Sequence, residues 1–171
     1  MTHNKNIRLE LLMDAGNGAQ KAGDILIKSF AKSGRYVFIE PIIPAEISPP
    51  KRNEYSMSGV VIRVSGNELT NVGSVTDFML VEHEILLRRR LRDKEYDPKC
   101  HILIDTAFEA RNQDDYAEAI GTAESAGLKV TRFSQTEEAQ VSIKALNGNG
   151  KNMYYLGMLT AIFSLDLAVV E

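Results

Sequence analysis

The segment Ile7-Arg-Leu-Glu-Leu-Leu-Met-Asp14-Ala-Gly16-Asn-Gly18-Ala-Gln20-Lys-Ala-Gly23 constrains this chain most, because an apolar strand pattern runs into a Gly-x-Gly turn that opens directly into a helical pattern. Glycine lets the backbone bend sharply and approach a ligand, and the unpaired N–H groups of a first helical turn point at whatever occupies that space. The turn therefore reads in two ways, as a phosphate-sized anion cradle or as a plain strand-to-helix connection. Both require the strand to end where the helix begins, which is the opening move of an α/β fold.

The rest of the chain continues that alternation. Ile7 to Met13 reads as a strand and Ala19 to Ser33 as a helix, with Ala22, Ile25, Leu26, Ser29 and Phe30 on one stripe and Gly34 after it. Strand patterns follow at Tyr36 to Ile39, Gly59 to Val64, Asp77 to Val81, His101 to Ile104 and Leu128 to Phe133. Helical patterns occupy Glu84 to Leu91, Asp114 to Ala126, Thr136 to Leu146 and Met153 to Leu165, and the turn Asn147-Gly-Asn-Gly150 separates the last two. Pro41, Pro44, Pro49 and Pro50 exclude a continuous helix or central strand from Glu40 to Ser56 and predict a long stiff loop. The expected fold is a three-layer, Rossmann-like α/β sandwich whose central sheet is mostly parallel, with room for a mixed strand. The last helical segment is apolar on nearly every face, which predicts burial on several sides, in this domain or against another chain.

A length of 171 residues with 44% hydrophobic and 25% charged content suits one domain over 1–171. The net charge of −3 gives no general pull toward nucleic acid or an anionic membrane. The polar start, Met1 to Asn6, lacks the apolar core of a secretory signal, and no run reaches the roughly 20 apolar residues of a membrane span, so the chain is expected in the cytoplasm. Cys100 is the only cysteine, so the chain has neither an internal disulfide nor the thiolates for a four-cysteine zinc site or an iron–sulfur cluster. Its place in the apolar run Cys100 to Asp105 predicts an inert, partly buried thiol.

Three constellations could carry chemistry. Gly16 and Gly18, with Glu40 at the end of the second strand, imitate the dinucleotide pattern in which an acid receives the ribose hydroxyls. The third glycine of that pattern would fall at Lys21, whose long side chain stands where close helix packing wants none. His83-Glu84 begins a helix, but no second histidine follows at metalloprotease spacing, and His3 and His101 are remote; a surface or capping role is expected. The run Arg88-Arg-Arg-Leu-Arg92 reads as an exposed basic helix face or a contact for an acidic neighbouring subunit, without the interleaved aromatic residues of a nucleic-acid surface.

Three ordered motifs resemble the gamma subunit of the 2-oxoacid:ferredoxin oxidoreductases, a family acting on pyruvate, 2-oxoglutarate and branched-chain 2-oxo acids. They are the turn Gly16-Asn-Gly18-Ala-Gln20-Lys21 with Ala22-Gly23 behind it, the loop and strand Pro44-Ala-Glu46, Arg52, Ser58-Gly-Val60 and Ile62-Arg-Val-Ser65, and the helix start Asn152-Met-Tyr-Tyr-Leu-Gly157. Ala19 and Lys21 stand where the family's turn has glycines, and Ile47-Ser-Pro-Pro50 where its loop is richer in glycine. The resemblance implies a complex that oxidises a 2-oxo acid with coenzyme A to acyl-CoA, CO2 and reduced ferredoxin. Thiamine diphosphate, Mg2+ and [4Fe-4S] clusters would be held by the partner alpha, beta and ferredoxin-like delta subunits. This chain would contribute no catalytic residue; it would be mainly architectural and assist coenzyme A binding. The contact residues so implied are Gly16, Asn17, Gly18, Gln20, Glu46, Arg52 and Asn152, with Lys51 as a further cation on the loop. An isolated chain would be a candidate homodimer. The open alternative is a stand-alone nucleotide-binding protein using Gly16, Gly18 and Glu40.

Overall fold

A computed structural model describes residues 6–46, 48–146 and 150–166. The polar start with His3, Ile47 of the central loop and all but Gly150 of the expected glycine–asparagine turn lie outside these residues. The strands are β1 (Ile7–Asp14), β2 (Tyr36–Ile42), β3 (Met57–Ser65), β4 (Thr76–Val81), β5 (Tyr96–Asp105) and β6 (Lys129–Phe133). The helices are α1 (Ala19–Lys32), α2 (Glu84–Asp93), α3 (Gln113–Ser125), α4 (Glu137–Ala145) and α5 (Lys151–Ile162), with short 3-10 turns at Glu54–Ser56 and Glu109–Arg111.

These strands form one six-stranded sheet in the order β2-β3-β1-β4-β5-β6. Strands β1, β4, β5 and β6 run parallel, whereas β3 lies antiparallel to both β1 and β2. The fold is thus the expected three-layer sandwich with a mixed, mostly parallel sheet. Because β1 is covered on both faces, its side chains divide by parity. Leu9, Leu11 and Met13 join α1 and α5 in one core, and Leu12 joins α2 and α3 in the other. Glu10 is fully buried on the second face, where Arg90 donates to it at 2.8 Å and Thr76 also bonds it.

The helix stripe of α1 is buried as read, through Ala22, Leu26, Ser29 and Phe30. Gly23 supplies the close approach that the sequence pattern sought at Lys21: a Cβ there would stand 2.7 Å from both Val60 methyls on β3. Pro41 lies inside β2 rather than in the loop, which an edge strand tolerates. Within this chain α5 is covered on one side. Asn152, Tyr155, Leu156, Leu159 and Thr160 are buried, but Met153 and Ile162 remain more than a third exposed, since no further layer of the described residues covers that face. No helix is long and apolar enough to cross a membrane among the described residues.

Candidate functional site

Parallel strands bring their carboxyl ends to one edge of the sheet, and the loops that leave there build the sites of open α/β folds. Here each of three adjacent parallel strands ends in a buried acid, with Asp14 closing β1, Glu82 following β4 and Asp105 closing β5. Each carboxylate gathers donors from the loops above it.

Glu82 organises the glycine turn. It accepts from the Asp14 backbone N–H at 2.7 Å, from Asn17 Nδ2 at 2.8 and 3.0 Å and from Lys151 Nζ at 2.8 Å. The Asn17 and Lys151 contacts tie the turn to the start of α5. Asn152 completes the tie by donating from Nδ2 to the Gly18 carbonyl at 3.1 Å. Gly18 is the N-cap of α1 with φ +84°, and a Cβ on it would fall 2.5 Å from Asn152 Nδ2, so both conformation and space require glycine. Gly150 caps α5 in the same left-handed conformation, φ +97°.

The two helix starts therefore share an unusual property. Neither α1 nor α5 has a side-chain cap or an acidic residue in its first turn. Both open on a cleft of about 340 Å³ lined by Gly16, Asn17, Gly18, Lys21, Gly150, Asn152 and Met153. The first-turn N–H groups of two helices and their positive ends converge there with the Lys21 side chain, an arrangement suited to an anion.

Asp14 organises the proline-rich loop. It accepts from the Arg52 backbone N–H at 2.9 Å, from the Ser56 hydroxyl and from His83 Nε2 at 3.0 Å. Burial pushes its pKa up, but the His83 and Ser56 hydrogen bonds outweigh that and hold the carboxyl below its ordinary range. Arg52, with φ +55°, turns inward: Nη2 donates to Glu84 at 2.5 Å and the guanidinium stacks 4.6 Å from the Phe108 ring centre. Lys151 Nζ stands 5.0 Å from the same ring. Arg52 Nη1, His83 Nδ1 and Glu84 Oε2 are buried without a hydrogen-bond partner among the described residues. Asp105 accepts from Tyr155 Oη at 2.6 Å, Gln135 Nε2 at 2.8 Å and the Ala107 N–H at 2.9 Å; burial and this carboxylate raise the Tyr155 pKa well above its ordinary value.

Of the residues singled out in the sequence, Gly16, Asn17, Gly18 and Asn152 meet at the cleft. Gln20 is exposed on α1, and Lys21 takes the lining position beside it. Glu46 and Lys51 are exposed on the loop, and the partner of Arg52 is Glu84. The structure does not bring Glu40 to the turn. β3 intervenes between β1 and β2, and the register sets Glu40 opposite Val61 and Val61 opposite Glu10, four residues short of Asp14. His83 does occupy the N-cap position of α2, but it is fully buried rather than on the surface, and its side chain makes no cap hydrogen bond because Asp14 takes its ring. The basic run divides. Arg90 turns inward to Glu10, while Arg88 pairs with Asp115 and Glu118 and Arg92 with Glu54. Cys100 is fully rather than partly buried, and burial pushes its thiol up to about 12. Among the described residues no three His, Cys, Asp or Glu side chains converge to hold a metal. Sequence reasoning passed over Glu82, Lys151 and Phe108; the signal available was the acid that follows each apolar parallel strand.

The family model for pyruvate ferredoxin/flavodoxin oxidoreductase matches residues 14–171. The chain belongs to that family. The motifs at the glycine turn, the loop and the α5 start point the same way. No curated protein matches the sequence. Among solved structures, the chain is similar to 2-oxoglutarate:ferredoxin oxidoreductase from Magnetococcus marinus, a structure with 2-oxoglutarate, coenzyme A and succinyl-CoA bound. That match has 19% identity and a TM-score of 0.72, over 97% of this chain and 26% of that one, so the family member described here spans about a quarter of the Magnetococcus chain. It is also similar to the pyruvate oxidoreductase subunit PORC from Thermotoga maritima (15% identity, TM-score 0.58) and to the keto/oxoacid ferredoxin oxidoreductase gamma subunit from Geobacter sulfurreducens (13%, 0.61). Each of these matches covers 98% of this chain and 79% of the other.

Proposed function

We propose that this chain is the gamma-type subunit of a 2-oxoacid:ferredoxin oxidoreductase complex and that its cleft receives the phosphate-bearing end of coenzyme A. The observation that carries the ligand reading is the convergence of two uncapped helix starts, α1 and α5, on one cleft beside Lys21. Family membership and the likeness to gamma subunits support the assembly. Gly16 and Gly18 would bring main-chain N–H groups to a phosphate, Asn152 would hold the two helix starts in register, and Lys21 would add charge at the rim. Asn17 and Lys151 would act through Glu82 to fix the turn, and Arg52 through Glu84 and Asp14 to hold the loop beside it. Gln20 and Glu46, both exposed, remain candidates for contacts made across a subunit boundary.

Thiamine diphosphate with Mg2+ and [4Fe-4S] clusters would supply the decarboxylation and electron transfer from partner alpha, beta and delta subunits. The residues present do not fit a cluster, since the one thiol is buried and held protonated at ordinary pH. The exposed Met153 and Ile162 of α5 are a contact surface for such partners.

Co-expression with the neighbouring genes, affinity capture of this chain and assay of the eluate for 2-oxo-acid-dependent reduction of a low-potential dye tests the reading. Captured partner subunits and activity that requires coenzyme A are expected, with the KM for coenzyme A raised by Lys21→Glu. A chain recovered alone, without activity, would refute the assembly; an active complex indifferent to Lys21→Glu would refute the ligand cleft.

A further inference from the structure

Helix α2 presents two different stripes. Leu86, Leu87, Arg90 and Leu91 are buried, whereas Ile85, Arg88, Arg89 and Arg92, spaced i, i+3, i+4 and i+7, share the other face. That face is one wall of a cleft of about 420 Å³, and the loop end 52–55 is the facing wall. Asp14 pins the loop on either side of this wall, through the Arg52 backbone N–H and the Ser56 hydroxyl. None of these lining residues belongs to the cleft between α1 and α5.

Four arginines line this cleft, Arg52 among them, against one carboxylate, Glu54. Like charges at this helical spacing repel one another, so the face calls for a counter-anion. The other acids that pair with these arginines stand outside the lining: Glu84 with Arg52, and Asp115 and Glu118 on α3 with Arg88. Those pairs fix two guanidinium groups yet leave Arg52 Nη1 and Arg88 Nε without hydrogen-bond partners among the described residues. Arg89 Nη1 donates to a main-chain carbonyl, that of Glu54, at 2.5 Å. The Glu54 carboxylate itself meets Arg92 Nη2 at 2.6 Å, and the Arg92 hydrogen bond and charge hold its carboxyl below its ordinary range.

Glu54 sets the entry requirement. A carboxylate attached to the chain competes at high effective concentration with any singly charged solute. An exposed ion pair is nonetheless weak, and the Arg92 side chain is 66% exposed, so an anion that engages several guanidinium groups at once displaces it. A phosphate group offers its oxygens to several planar forks together, where a carboxylate matches one. We propose that the cleft between α2 and the loop binds a linear polyphosphate, free or as the tail of a nucleotide, in place of the Glu54 carboxylate. Tyr55, 57% exposed and in the cleft lining, is the ring on which a base would stack.

The test is calorimetric titration of the full chain, at low salt, with inorganic tripolyphosphate, orthophosphate, adenosine triphosphate and a glutamate-rich peptide. Circular dichroism confirms that each variant is folded. Tripolyphosphate should saturate the wild type at one site per chain, and orthophosphate should not. Arg89→Ala/Arg92→Ala should weaken tripolyphosphate binding at least about tenfold. Glu54→Gln, which removes the competing carboxylate, should tighten it, and Lys21→Glu in the other cleft should leave it unchanged. A nucleotide that binds more tightly than tripolyphosphate, by a margin lost in Tyr55→Ala, identifies the nucleotide tail; equal or weaker binding identifies the free polyphosphate. No saturable binding to the wild type, undiminished affinity in the arginine double variant, or affinity not raised by Glu54→Gln would each overturn the proposal. So would binding abolished by Lys21→Glu, and so would tighter binding of the glutamate-rich peptide than of tripolyphosphate, which would assign the cleft to an acidic protein partner.

Discussion

Replacing Gly18 with alanine probes the joint between the two helix starts. A left-handed backbone costs a non-glycine residue about 1–2 kcal/mol, offset by about 0.4–1 kcal/mol from the reduced freedom of the unfolded chain. Gly18 carries φ +84°, so the conformational part alone is about 1 kcal/mol. The added methyl would also sit 2.5 Å from Asn152 Nδ2 and 2.9 Å from its Cγ, which displaces the amide and breaks its bond to the Gly18 carbonyl. Losing that bond at a side chain with 8% exposure adds about 1 kcal/mol. The expected total is about 2 kcal/mol, read as a lowered midpoint in urea at unchanged slope. Gly16 provides the control, because it has nearly the same φ, +85°, but nothing within 4 Å of an added methyl. Gly16→Ala should therefore cost about half as much. In an Asn152→Ala background, Gly18→Ala should fall to the Gly16→Ala value, giving a coupling of about 1 kcal/mol. Equal costs for the two glycine substitutions, or additivity with Asn152→Ala, would refute the claim that Asn152 and Gly18 form the joint.

Other perturbations test the remaining parts of the carboxyl edge. Arg52→Ala removes the cation paired with the fully buried Glu84 and should destabilise by about 3 kcal/mol in urea, with Arg52→Lys recovering only part because the planar stack on Phe108 is lost. The lowered pKa of Asp14 contributes stability that is fully present above its unfolded value of 3.8 and is lost as pH falls through the folded value. Urea midpoints of wild type and Asp14→Asn should therefore differ most above about pH 4 and converge on acidification; a constant gap would contradict the assignment. Cys100, with its thiol pushed up to about 12, should resist an aromatic disulfide reagent at about pH 8 in the native chain and react at once in urea.

Much of the fold was legible because local signals and packing agree. Ile7 to Met13 and the α1 stripe combine apolar periodicity, glycine punctuation and strand length, and each element ends within one residue of the expected boundary. What could not be read was the register and direction of pairing. Nothing local in Gly59 to Val64 distinguishes a strand running against its neighbours from one running with them, since both faces of β3 are buried and its pattern is continuous. The same limit hid the roles of His83 and Arg90. Each is a polar residue on a helix whose exposed face looks adequate for it, and only the long-range approach of Asp14 or Glu10 makes burial favourable. At the cleft, Gly16 and Gly18 were legible from turn chemistry, whereas Lys21 and Lys151 acquire meaning only when α1 and α5 are known to start side by side.

The antiparallel strand β3 explains why the sequence pattern looks like a damaged dinucleotide site. In the usual arrangement the second strand lies next to the first, its terminal acid meets the ribose, and a third glycine lets the helix close on the sheet. Inserting β3 moves Glu40 one strand further out, so an acid there has no ribose to receive. The helix now closes on β3, and the small residue needed is Gly23, facing Val60, which releases position 21 to carry a lysine. Beside the glycine turn stands α5, whose own uncapped start adds a second positive helix end to the first. Lys21 and Glu40 thus cease to be departures from one pattern: Glu40 lies away from the turn, and Lys21 lines, with Asn152, a cleft between two helix starts.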